Sequence, residues 1–157
     1  MHIVISLGVA ALCGGIIGFE RELSDRPAGL RTNMMVALAA AMFTLLTHEL
    51  AVEAGREAGD HLKIDTLRII EAVIAGVAFL GAGAIFRSGG HVGGLTTGAS
   101  LWMSGALGVA SGAGFLKLAL FGVAFAVVIL IVIGRFEVHV LNSKQGPETP
   151  PPAGAGS

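Results

Sequence analysis

The stretch Gly76-Val-Ala-Phe-Leu-Gly-Ala-Gly-Ala-Ile-Phe-Arg87, followed after a short link by Gly93-Gly-Leu-Thr-Thr-Gly-Ala-Ser-Leu-Trp102, decides how this chain is read. In water, each such glycine costs a helix interior about 1 kcal/mol relative to alanine. In a bilayer the same residues let helix backbones approach closely. One arginine and a hydroxyl cluster, Arg87 with Thr96, Thr97 and Ser100, interrupt the apolar run. Hydrocarbon offers them no hydrogen bonds, so they need protein partners, an interface or water.

Composition agrees. The 157 residues are 54% hydrophobic and 13% charged, with a mean hydropathy of +0.79, against about 25% charged in soluble domains. Uncharged apolar runs cover residues 3–19, 32–47, 72–86, 88–116 and 118–134. Each can supply a helix near the roughly 20 residues needed to cross a bilayer. The fold class is therefore all-α, a polytopic transmembrane helix bundle. Five spans fit best, at about residues 3–19, 32–52, 66–86, 95–112 and 115–135. A four-span arrangement, with residues 88–112 re-entrant, is the rival. The cluster Ser111-Gly-Ala-Gly114 divides the fourth span from the fifth.

The first run has no basic residue before it, and Phe19-Glu20-Arg21 is not a small-residue cleavage site, so it reads as a retained helix and not a signal peptide. Cys13 is the only cysteine and reads as a small packing residue. A net charge of −1 gives no electrostatic case for nucleic acid. Residues 1–136 form the membrane domain; residues 137–157, rich in proline and glycine, read as a disordered tail. An outside N-terminus and cytoplasmic C-terminus place Arg21, Arg26, Arg31, Arg87, Arg135 and Lys144 inside, against Arg56, Lys63, Arg68 and Lys117 outside.

Several constellations could carry function. The spacings Gly14-x-x-x-Gly18, Gly90-x-x-x-Gly94-x-x-x-Gly98 and Gly108-x-x-x-Gly112 permit close helix crossings, within the chain or against a second copy or another membrane protein. Between the first two spans, Glu20, Arg21, Glu22, Asp25, Arg26 and Arg31 nearly cancel in charge, and a Glu20–Arg31 pair would clamp the hairpin. Thr32 or Asn33 could cap the helix that follows. Glu71 opens the third apolar run one turn beyond Arg68; it reads either as a proton- or cation-binding carboxylate or as an interfacial acid paired with Arg68. No His/Cys/Asp/Glu grouping has metal-ligand spacing, and a magnesium site would draw on Glu20, Glu71 and the hydroxyls of 96–100. No nucleophile motif or cofactor-binding motif is visible, so the chain does not read as an enzyme.

Four motifs, Gly14-Gly-Ile-Ile-Gly-Phe-Glu-Arg21, Arg26-Pro-Ala-Gly-Leu-Arg-Thr-Asn33, Phe79-Leu-Gly-Ala-Gly-Ala-Ile85 and Gly94-Leu-Thr-Thr-Gly-Ala-Ser-Leu-Trp102, resemble the MgtC/SapB family of bacterial inner-membrane proteins over roughly residues 8–125. The resemblance implies a five-helix membrane domain and a part in magnesium homeostasis, growth in low magnesium and survival in host macrophages. Family members are often labelled magnesium transporters, whereas the best-known one is thought to restrain the proton-translocating ATP synthase and influence other transporters. The resemblance also implies a functional charge cluster of Glu20, Arg21, Arg26, Arg31 and Asn33, with Gly81 and Gly83 among the packing glycines. The chain departs from that member at Thr96, where asparagine is expected, at Met103, where cysteine is, and in the tail, which stands where a soluble C-terminal domain would. The expectation is a non-enzymatic regulator of membrane proteins acting in magnesium and ion homeostasis. The alternative is a cation transporter or channel with Glu71 or Glu20 as its coupling carboxylate.

Overall fold

A computed structural model describes residues 1–58, 66–88 and 91–135. The tail from residue 137, Lys63, Lys144 and Gly90 lie outside the described residues, as does the Arg87 side chain. Five helices follow in order: α1 (His2–Leu23), α2 (Leu30–Ala58), α3 (Thr66–Ala84), α4 (Leu95–Gly112) and α5 (Leu116–Val128), the last continued by a π-helical turn, Ile129–Ile133. The link before α4 is ordered further than its glycines suggest: β1 (Phe86–Ser88) and β2 (His91–Gly93) pair antiparallel, with Arg87 opposite Val92.

The chain is turned inside out relative to a water-soluble bundle. Phe19, Phe43, Phe79, Phe121 and Phe125 are exposed, while the interior holds alanine, glycine, serine and threonine. Bilayer hydrocarbon is as apolar as leucine, so burying large side chains gains little, and small ones win by close backbone contact. Two small apolar clusters remain: Cys13, Ile17, Leu107, Ala119 and Val123 where α1, α4 and α5 meet, and Val36, Ala40, Val73, Val77 and Leu101 between α2, α3 and α4.

Among the described residues four helices, α1, α2, α3 and α5 with its π-helical continuation, are long and apolar enough to cross a membrane. The exception, α4, packs against all of them. Its 18 residues extend about 27 Å at 1.5 Å each, antiparallel to α1: Thr97 near its start meets Arg21 at the end of α1, and Gly114 just past its end lies against the His2 imidazole at the start of α1. Residues 95–112 are thus one helix that runs antiparallel to α1 within an all-α bundle. With more than half of its residues buried, α4 leaves exposed only the face of Leu95, Thr96, Ala99, Trp102 and Ala106, and so carries fewer large apolar residues than its neighbours.

Candidate functional site

The charged connection between α1 and α2 builds one end of the bundle. Because α1 runs on to Leu23, Arg21 belongs to its last turn and points inward, only 5% exposed. Its Nη2 donates to Thr97 Oγ1 at 3.2 Å, and Ser100 Oγ donates to the Thr97 carbonyl at 2.8 Å. Arg21 Nε is buried without a partner. Beside it, Glu20 Oε1 accepts from Ser24 Oγ at 2.9 Å, while Oε2 is buried and unpartnered. A donor and an acceptor are therefore left over on adjacent residues.

The chain then reverses through Asp25 and Ala28, both with positive φ (51° and 58°). Glu22 Oε2 accepts from the Leu30 N–H at 2.8 Å. A carboxylate there satisfies one of the free donors at the start of α2 and faces the positive end of its dipole. The cap expected at Thr32 or Asn33 is thus supplied from the preceding helix, and α2 begins earlier, at Leu30. Asn33 instead lies fully buried inside the first turn. Its Nδ2 donates to the carbonyls of Ala28 at 2.5 Å and Gly29 at 3.1 Å, and its Oδ1 accepts from Ser104 Oγ at 2.8 Å. One side chain therefore holds the turn, α2 and α4 together.

The Glu20–Arg31 clamp does not form. Arg26 and Arg31 are exposed, and the single ion pair among the described residues, Glu53–Arg56 at 3.4 Å, lies elsewhere on α2. The hairpin is closed by Glu22 and Asn33, neither paired to an arginine.

Thr97, Ser100, Ser104 and Ser111 are all buried on α4, and their spacings of three, four and seven residues put them on one face. Thr96 faces outward, so the sequence pair Thr96-Thr97 divides between exterior and core. Further along, Ser111 Oγ donates to the Leu107 carbonyl at 2.8 Å, and on α2 Thr44 and Thr47 donate to the carbonyls of Ala40 and Phe43 at 2.8 and 2.9 Å. These hydroxyls satisfy themselves on their own helices.

Glycines set the crossings. A Cβ on Gly14 would come 2.5 Å from the Asn33 carbonyl oxygen, and one on Gly18 2.6 Å from the Leu30 Cα. Gly108 and Gly112 sit against the backbone of Ala37 and Ala41, and Gly98 lies on Gly81. These faces are occupied within the chain. Gly83 meets open space. Gly94, at φ 83°, turns the chain from β2 into α4 against the Ala84 carbonyl. Glu71 stands apart on the exposed side of α3, unpaired with the equally exposed Arg68.

The sequence reading put Arg21 and Asn33 in one group and Thr97 and Ser100 in another, with Arg87 and Thr96; the structure brings these two pairs together at one end of α4. It missed Ser104, and it counted Glu22 among the charges of the connection without seeing that its carboxylate caps α2. The period of 97, 100 and 104 could have signalled Ser104; no local pattern links Glu22 to a helix starting eight residues later. No group of three or more His, Cys, Asp or Glu close enough to hold a metal occurs among the described residues.

A bundle with a bulky apolar exterior, backbone-contact glycines and a central hydroxyl-lined helix defines a polytopic α-helical membrane protein. The model of the MgtC family matches residues 7–139, and the chain belongs to that family. It is 39% identical to SapB of Bacillus subtilis over 93% of its own length and 60% of the relative's, and 38% identical to MgtC of Brucella abortus over 82% and 50%. YhiD of Escherichia coli K12, provisionally named a magnesium transporter, is 32% identical over 88% of this chain and 64% of the relative. The chain thus spans about half to two thirds of the length of these relatives. No solved structure matches it.

Proposed function

We propose that this protein is a non-enzymatic regulator of other membrane proteins, acting in magnesium and ion homeostasis in the bacterial inner membrane, with its N-terminus outside. The magnesium link is supported by the name of its relative YhiD and by its membership of the MgtC family. One observation carries the choice of regulator over carrier: the polar groups at membrane depth are mostly bonded to each other or to their own helices. Asn33 makes three hydrogen bonds, and Ser100, Ser104, Ser111, Thr44 and Thr47 each have a partner. A carrier needs polar groups free to take up the hydration shell of its ion.

The test is magnesium and proton flux into liposomes holding the purified, folded protein. A regulator gives flux equal to empty liposomes; flux well above background refutes this reading. One observation favours a second reading, a cation carrier with Glu20 as coupling carboxylate: Glu20 Oε2 and Arg21 Nε are buried without partners. That reading requires flux that falls in Glu20→Gln. Glu71, on the outer side of α3, is poorly placed for a path through the bundle.

A further inference from the structure

The outer face of α3 is built differently from those of α1, α2 and α5. On α3, Val73 and Val77 are the inward residues, packed with Val36, Ala40 and Leu101. The opposite side of a 3.6-residue helix then carries Arg68, Glu71, Ala75, Ala78 and Ala82, and all five are exposed. Leu67, Ile74 and Phe79 rise beside this alanine floor, all exposed. The other spans show lipid a bulky surface: Leu12, Ile16 and Phe19 on α1, Met35, Met42 and Leu46 on α2, and Leu118, Phe121 and Phe125 on α5.

Two ionisable side chains sit at one end of the alanine floor. Glu71 is four residues inside the candidate span that begins at Leu67, about 6 Å along the axis. Charged groups within spans normally face the bundle or pair with one another. Glu71 and Arg68 do neither: they point away from the bundle and form no ion pair. Small residues with paired polar groups are what one membrane helix presents to another.

We propose that this face of α3 is the contact between two copies of the chain, related by a two-fold axis along the membrane normal, with Arg68 of each copy reaching Glu71 of the other. The occupant is a second copy because the charges are self-complementary. Arg68 and Glu71 are three residues apart, an axial offset of about 4.5 Å that an arginine side chain spans, and a two-fold axis forms the pair twice. The glycine faces of α1 and α4 are already filled by α2 and α3. The exposed small residues of α4, Thr96, Ala99 and Ala106, have no charged residue on their helix, which leaves α3 as the open small-residue surface with self-complementary charges. The inference does not depend on whether the chain moves ions.

The experiment is oxidative crosslinking in native membranes that contain two differently tagged copies of the full chain, with single cysteines introduced as Ala75→Cys, Ala78→Cys or Ala82→Cys. The only native cysteine, Cys13, is buried. The expected result is a disulfide joining the two tags at the α3 positions and at least tenfold less with Leu12→Cys on α1. In the Ala75→Cys background, Arg68→Glu should cut the yield severalfold, and adding Glu71→Arg should restore it. Four outcomes overturn the proposal: no link between the tags, equal linking at Leu12→Cys, links only to other proteins, or a yield indifferent to the charge reversals. Ala75→Cys is a small change on an exposed face, so loss of the fold does not confuse the reading.

Discussion

At the scale of single residues, Asn33 and Arg21 are the most demanding side chains in the bundle. Asn33→Asp replaces two donated hydrogen bonds with a carboxylate facing the carbonyls of Ala28 and Gly29. Repulsion and an unpaired buried charge then act together, so Asn33→Asp should lower the unfolding midpoint in detergent more than Asn33→Ala. The alanine variant orphans Ser104 Oγ and should cost about 1–3 kcal/mol. Thr97→Val keeps the shape but removes the acceptor of Arg21 Nη2; a loss in the same range is expected, and Thr97→Ser should recover most of it. Thr96→Val, at an exposed position, should be near neutral in the same assay. The sequence named Thr97 and Ser100 as polar residues needing partners, because their cost at membrane depth is a property of the residues alone, and it read Arg21 as a surface charge and Asn33 as a cap. It could not say that Arg21 turns inward, since that depends on α1 continuing to Leu23.

At the scale of elements, the crossings depend on which glycines meet backbone. Gly108→Leu should force α4 off Ala37 and Ala40, costing the 1–3 kcal/mol typical of overpacking or more, and should show as loss of a monodisperse species on size exclusion. Gly83→Leu, entering open space, should leave elution and midpoint unchanged. Both glycines look alike in sequence. Five helices were legible because apolar length is a local quantity. Less legible was the start of α2: its cap comes from Glu22, on another element, and a contact between elements has no local signature. The pairing of β1 with β2 was hidden for a related reason, as two three-residue strands are too short to carry a readable period.

At the scale of the whole molecule, α3 lies at the periphery of the bundle. It packs chiefly on α4, and apolar grooves run along both its flanks. One, of about 350 Å³, lies against Ala39 and Phe43 of α2; the other, of about 290 Å³, lies against Trp102 of α4 and Phe115. Hydrogen exchange in lipid should accordingly find α3 protected less than α4, whose buried face is surrounded by the other helices. The hub position of α4 also bears on how the chain is made. A helix of serine, threonine and glycine gains little by leaving the insertion machinery for hydrocarbon, whereas α1, α2, α3 and α5 are apolar enough to leave unaided. Grafted singly into a reporter protein, α4 should insert far less often than α5, and insert well only when α3 and its hairpin precede it. Biogenesis would then be ordered: the outer helices partition first, and the centre of the bundle is drawn in last by the neighbours it will hold together.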